Sequence, residues 1–388
     1  MYRKTYIEID TNNLKHNVST IIKNYPDYKY YIGVVKGNVY GHGYGAIQCM
    51  IDAGINYLAV SSIEEAICIR NENINLPILC LQPIHIDDIN DAIRYNITIT
   101  ISNYDFFKEL INYNFNNQSI KVHIKVNSGF NRLGISDKNH IKEIFDKLKN
   151  HQYIKIEGIF SHFATNGVYE KHWDNQLSKF KEITSLINLN DIPIVHFGKS
   201  LTLIHHNKIE FCNGIRLGTI MYGHYKPSFI TKGIIPILRE IKRIINSYIH
   251  NISNTIKISD VPYIFKSAFS LYSEIIEIRE INKGAFVGYG AYFIAENNMR
   301  LAYLPIGYSD GFSKKNKNGY VYIKNKKYKI ICIDMGITTI IIDNNVDVYD
   351  KVEIVGNNIS VFNLAIRNNS STYEILCEFK ESIPRIIK

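Results

Sequence analysis

Through about residue 220, short apolar or β-branched runs alternate with longer amphipathic stretches. The short runs predict strands at Tyr30–Val35, Tyr57–Ser61, Pro77–Leu81, Ile97–Ile101, Lys121–Val126, Ile154–Phe160, Pro193–Phe197 and Phe211–Arg216. Between them, helical spacing predicts helices over Ile63–Arg70, Ile89–Tyr95, Tyr104–Ile111, Ile141–Leu148 and Asn175–Ile187, with Ser62, Asp88 and Ser102 as N-caps. Eight strand–helix units without a Gly-rich dinucleotide turn predict an α/β (β/α)8 TIM-like barrel rather than a doubly wound sheet.

From about Glu274 strands predominate: Glu274–Glu280, Arg300–Pro305, Gly319–Ile323, Lys327–Cys332, Thr338–Ile342, Lys351–Ile354 and the last residues. Turn signals such as Asn282-Lys283-Gly284 and Gly356-Asn357-Asn358 separate them, so an all-β, C-terminal β-strand domain is expected. The stretch 231–260 has helical periodicity over Ile234–Ile249 and then turns polar, which reads as an insertion. The expected division is a barrel over 10–228, a connector over 229–264, and a β domain over 265–388 joined by the strand in 1–9.

Composition changes this picture little. With 46% apolar and 21% charged residues the chain reads as globular. The net charge of +9 is scattered over abundant Lys rather than gathered on one element, which argues against a nucleic-acid footprint. Six cysteines occur singly, without a metal spacing, and most are flanked by apolar residues, as buried thiols are. No apolar run reads as a signal peptide or bilayer span, so no membrane partner and a cytoplasmic location are expected.

Candidate chemistry gathers where the predicted barrel strands end. The first strand runs through Val34-Val35 into Lys36 and then a glycine-rich turn. A lysine there reads equally well as a snorkelling side chain or as the partly desolvated amine of a pyridoxal 5′-phosphate (PLP) Schiff base. Lys125 and Arg132 lie at and after strand five, His162 after strand six, and Lys199-Ser200 after strand seven. Arg216, Gly218 and Thr219 follow strand eight. In such barrels the catalytic face is the C-terminal one, and the loops after strands seven and eight commonly cradle phosphate.

Three other motifs fail. Gly41-His42-Gly43-Tyr44-Gly45 has its third glycine misplaced for dinucleotide binding, and Gly198-Lys199-Ser200 lacks the first glycine of a P-loop. His205 and His206 are sequential, so a solvent-facing pair is expected rather than a metal site.

Val34-Val35-Lys36-Gly37-Asn38-Val39-Tyr40-Gly41-His42-Gly43 resembles the PLP-lysine signature of alanine racemases. The resemblance continues, in order, through His123–Gly134, Gly158–Thr165, Arg216–Gly223, Val287–Gly290, Leu304–Gly311, Ile331–Asp334, and Thr372–Leu376 with Ile383–Arg385. It implies a homodimer whose active sites are shared across subunits, with PLP as cofactor. It also implies a two-base racemisation that supplies D-alanine for peptidoglycan. Lys36 would serve as cofactor lysine and first base, and Tyr289 from the partner subunit as second base. His162 and Arg216 would be the cations stabilising its phenolate. Arg216 would face the pyridine nitrogen. Tyr40, Ser200, Gly218, Thr219 and Tyr373 would hold the phosphate. Arg132, Tyr308 and the backbone at Ile333 would meet the substrate, with Lys125, carbamylated in many relatives, aligning Arg132.

Departures are Lys199, where Asn is usual, and Ile330 and Gly167, where many relatives have an Arg–Asp pair. They leave room for a serine or broad-specificity racemase. A non-catalytic PLP-binding protein is disfavoured by the β domain and Tyr289.

Overall fold

The computed structural model describes residues 2–166, 171–224, 265–291 and 293–388, with positions 238, 241, 242, 245 and 249 between. Gly167 and most of the 231–260 insertion lie outside the described residues. The chain divides into two units, one of residues 15–36 and 47–265, the other of residues 1–14, 37–46 and 266–388.

The strands, in chain order, begin with β1 at Tyr6–Ile9. Next come β2 Tyr30–Val34, β3 Tyr57–Val60, β4 Ile78–Cys80, β5 Ile97–Ile101, β6 Ile120–Lys125, β7 Ile154–Phe160, β8 Ile194–Lys199 and β9 Gly214–Leu217. These eight close into a parallel barrel, β2 pairing with β9 at Ile32↔Arg216. Both faces of a barrel strand are covered, so the sequences read as apolar runs; Ile97-Thr98-Ile99-Thr100-Ile101 is buried throughout. The surrounding helices bury one stripe each. The helix Lys138–Lys149 buries Ile141, Ile144, Phe145 and Leu148, and is capped by Asp137, whose carboxylate accepts the Asn139 N–H at 2.7 Å. The helix over Tyr104–Ile111 is capped by Asn103, not Ser102; the Asn103 side chain accepts the Phe106 N–H at 2.7 Å. Asp88 occupies its expected cap position but makes no side-chain cap bond.

The second unit holds β10 Phe269–Glu274, β11 Glu277–Ile281, β12 Phe286–Val287, β13 Phe293–Ile294, β14 Met299–Leu304, β15 Tyr320–Ile323, β16 Lys326–Ile333, β17 Thr338–Ile342, β18 Lys351–Val355 and β19 Arg385–Ile387. Eight of these, with β1, form one nine-stranded sheet in the order β11-β14-β17-β16-β15-β18-β10-β1-β19, and β12 and β13 pair separately. The predicted strand over Glu274–Glu280 is two strands broken at Ile275-Ile276. The unit is mostly strand but not wholly so. Helices at Val361–Asn368 and Thr372–Glu378 start from capping boxes built on Ser360 with Asn363 and Ser371 with Glu374.

Candidate active site

The end of β2 is pinned before it reaches Lys36. The Val35 N–H donates to the Ala59 carbonyl at 2.9 Å, and the buried Tyr222 hydroxyl donates to the Val34 carbonyl at 2.8 Å. The four residues after Lys36 are left-handed: Gly37, Asn38, Val39 and Tyr40 have φ of 63°, 49°, 58° and 52°. Each L-residue pays roughly 1–2 kcal/mol there, and a buried β-branched Val39 is an unusual occupant. Gly41 continues the turn with φ 77°; a Cβ on it would lie 2.1 Å from the Leu376 carbonyl oxygen. The turn is therefore strained backbone fixed by packing, as functional segments often are.

At and after the C-terminal ends of β6, β7, β8 and β9 several side chains are cationic. Arg216 is 4% exposed. It donates to the carbonyls of Ser161 (2.7 Å), Phe197 (3.0 Å) and His196 (3.2 Å), and to the Nδ1 atoms of His196 (2.6 Å) and His162 (3.1 Å). Burial lowers its guanidinium to about 10, still protonated at neutral pH. Burial, then the charges of Arg132, Arg216 and Lys36, lowers the Lys125 ammonium to about 8. Lys125, Arg132 and Arg216 have no ion-pair partner among the described residues. The Lys199 ammonium donates to the Phe163 carbonyl at 3.1 Å.

His162 departs from the sequence expectation. Burial, then the charges of Arg216, Lys199, Arg132 and Lys125, holds it well below the ordinary imidazole range. It accepts from Arg216 as a neutral ring, so Arg216 alone of the two is a cation. Ser200 and Thr219 are buried beside Gly218, whose N–H donates to Ser200 Oγ at 2.7 Å.

The remaining predicted site residues belong to the second unit. The rings of Tyr40 and Tyr373 meet edge-on at 6.3 Å, Tyr373 riding the first turn of its helix. Tyr289 stands in a turn whose Gly288, Gly290 and Ala291 have positive φ, and its side chain is 86% exposed. With Phe286, Tyr303, Asp334 and Met335 it lines a cavity of about 510 Å³. The Tyr308 N–H donates to the Asp334 carbonyl at 3.0 Å, and Lys314 lies over its ring. The Ile333 side chain is buried, which leaves its backbone to act. Ile330 is fully buried and paired with Ile340, so it presents no side chain to an entrance.

Two sequence expectations need correction. His206 is buried, stacked on Trp173 at 3.8 Å, with its Nε2 2.8 Å from the Asn166 carbonyl; aromatic packing outweighs its sequential pairing with His205. Of the six thiols, Cys49, Cys80 and Cys212 are buried, whereas Cys68 and Cys377 are exposed. The sequence reading also passed over His196, the closest partner of Arg216, although a histidine inside an apolar strand was a visible signal.

The chain thus joins, in sequence, a closed barrel with cations at its rim to a strand-rich unit carrying an exposed tyrosine. The family model of the alanine racemase N-terminal domain matches residues 9–226, and that of the C-terminal domain residues 268–387. Alanine racemase 1 of Bacillus subtilis (strain 168) is 30% identical over 394 residues, covering 99% of this chain and 93% of the relative. Among solved structures, the alanine racemase of Bacillus anthracis with bound L-Ala-P superposes with TM-score 0.85 at 26% identity, covering 100% of this chain and 96% of that one. A histidine racemase of Leuconostoc mesenteroides shares the fold, with TM-score 0.83 at 22% identity, covering 100% and 98%. The chain belongs to the alanine racemase family and is an amino-acid racemase. No helix among the described residues is long and apolar enough to cross a membrane.

Proposed function

We propose that the protein interconverts L- and D-alanine with PLP, as a homodimer, by proton transfer on both faces of the substrate. The observation that carries the reading is the barrel rim. There a strand-end lysine shares its surroundings with Lys125, Arg132 and Arg216, cations without acidic partners among the described residues. That donor set fits an anionic, phosphate-bearing cofactor and a carboxylate substrate.

PLP, when bound, supplies the electron sink that acidifies the substrate Cα–H. Lys36 holds the cofactor covalently and carries a proton at Nζ on one face. The hydroxyl of Tyr289 of the partner subunit carries it on the other. Ser200, the backbone at Gly218-Thr219 and the hydroxyls of Tyr40 and Tyr373 would hold the phosphate. Arg216 would face the pyridine nitrogen and donate to it without giving up its proton, a restraint on the electron sink that would favour racemisation over side reactions. Arg132, which a carbamylated and so anionic Lys125 would align, would orient the substrate carboxylate with the Ile333 N–H and Tyr308. D-Alanine made in the cytoplasm would supply peptidoglycan.

Lys199 supports a second reading, a racemase accepting serine or several amino acids, because it adds a cation at this rim. Incubating the PLP-loaded protein with L-alanine and, separately, L-serine while following optical rotation tests both. Decay with alanine and little with serine is the expected result. Equal rates favour the second reading, and decay with neither overturns both.

A further inference from the structure

Arg216 poses a charge problem that the reaction does not explain. It is buried, and all five of its acceptors are neutral carbonyls or ring nitrogens. A buried cation without a countercharge is costly. The missing charge lies at the far end of a chain of rings inside the barrel. His196 Nε2 is 3.0 Å from His123 Nδ1, and His123 Nε2 is 3.4 Å from Glu157 Oε2. That last contact is at ion-pair distance rather than a well-formed hydrogen bond, and it is the weak link.

The protons in this chain have one consistent order. A guanidinium only donates, so His196 Nδ1 must accept. Neutral His196 then carries its proton on Nε2 and donates to His123 Nδ1. His123 in turn carries its proton on Nε2, facing the carboxylate. Burial, followed for His196 by the charge of Arg216, keeps both rings neutral.

The barrel is shaped around this chain. A Cβ on Gly158 would lie 2.4 Å from His123 Cε1, so only glycine leaves room for the ring. The β6–β7 register shifts at Val122/His123, and His196 stacks on Phe160 at 4.7 Å. Glu157 is held by the hydroxyls of Tyr57 and Thr98 and, from outside, by the Lys121 ammonium at 3.0 Å. Burial raises its carboxyl, but the facing His123 ring and the bond from the Tyr57 hydroxyl outweigh this and bring it to about 2.

We infer that Glu157 is a positioning residue: at the far end of the ring order that Arg216 sets, it supplies through His123 and His196 the negative charge that balances the guanidinium. Its link to turnover rests on the proposed role of Arg216 at the cofactor.

The test uses the full-length protein with 15N-labelled histidine and long-range 15N–1H spectra, His123 and His196 being assigned with His123→Gln and His196→Gln. In the wild type both rings should show protonated Nε2 and bare Nδ1. Glu157→Gln, which removes the charge but keeps an oxygen to accept from His123, should shift the ring 15N resonances of His123 and His196 without changing their tautomers, and lower kcat about tenfold or more with PLP bound, the usual scale for losing an orienting partner. Glu157→Asp should restore most of both. Should Glu157→Gln not fold, His123→Gln must produce the same change at His196. A wild-type His196 protonated at Nδ1, or a variant that leaves its ring resonances and kcat unchanged, overturns the inference. The spectra need no turnover, so a wild type that does not racemise alanine refutes the proposed activity and leaves this test standing.

Discussion

The barrel rim and the face around Tyr289 invert the usual rule of burial in opposite senses. At the rim the informative residues are polar and buried: Arg216, His196 and Lys125. Around Tyr289 they are apolar or aromatic and exposed. Phe286 is 72% and Met335 63% exposed beside Tyr289 at one cavity, and Ile294 stands opposite Phe286 across β12–β13. Both patterns cost free energy in an isolated chain, and both are the observations that carry information. The rim meets most of its cost internally, through Arg216's five hydrogen bonds. Among the described residues the Tyr289 face shows no such internal hydrogen bonds, and a second copy of the chain would complete it in the proposed dimer.

Three measurements would break or sharpen that contrast. Lys36→Ala carries the largest expected effect, a loss of racemisation of about a thousandfold or more with loss of the PLP absorption bound to the protein. Retained turnover would mean the rim is not the reacting centre. Tyr289→Phe should come next, costing about a hundredfold or more in turnover. Its stability should move by no more than about 0.5 kcal/mol, since the side chain is exposed. A variant racemising at the wild-type rate removes the second base. The smallest effect concerns acid stability. Glu157, inside the barrel, and Asp343, on the β unit's surface, are each lowered to about 2, from 4.5 and 3.8. For Asp343 the hydrogen bond from Lys326 leads. A lowered carboxyl contributes stability above its unfolded value that is lost as pH falls through the folded one. Glu157→Gln should therefore flatten the fall of Tm between pH 4.5 and about 2. Asp343→Asn should do so less, because solvent screens its pair. Equal flattening would show that burial in the barrel adds nothing.

The eight barrel strands were legible because each is a buried apolar run, and the rim residues because they follow those runs. The two helices of the second unit were not. Val361-Phe362 and Ile375-Leu376 resemble the apolar pairs of neighbouring strands, and the signal lay in the capping boxes at Ser360 and Ser371. His206 was misread because its partner, Trp173, is distant in sequence. The chain from Arg216 to Glu157 spans β6, β7, β8 and β9, and only register brings it together. His123 lies opposite Gly158 and Lys199 opposite Arg216, pairings no local pattern encodes. The neutral state of His162 likewise depends on burial and on cations from β6, the loop after it, β8 and β9, all distant in sequence.

The place of β1 in the sheet has a consequence for biosynthesis. Its Tyr6 pairs with Tyr272 and its Ile7 with Arg385, so it lies between β10 and β19. As the polypeptide leaves the ribosome, all eight barrel strands emerge before either neighbour of β1 exists. Those first residues must wait, their backbone groups bonded to water, until the far end of the chain is released. A nascent chain halted short of Arg385 could close its barrel yet hold β1 on one side only.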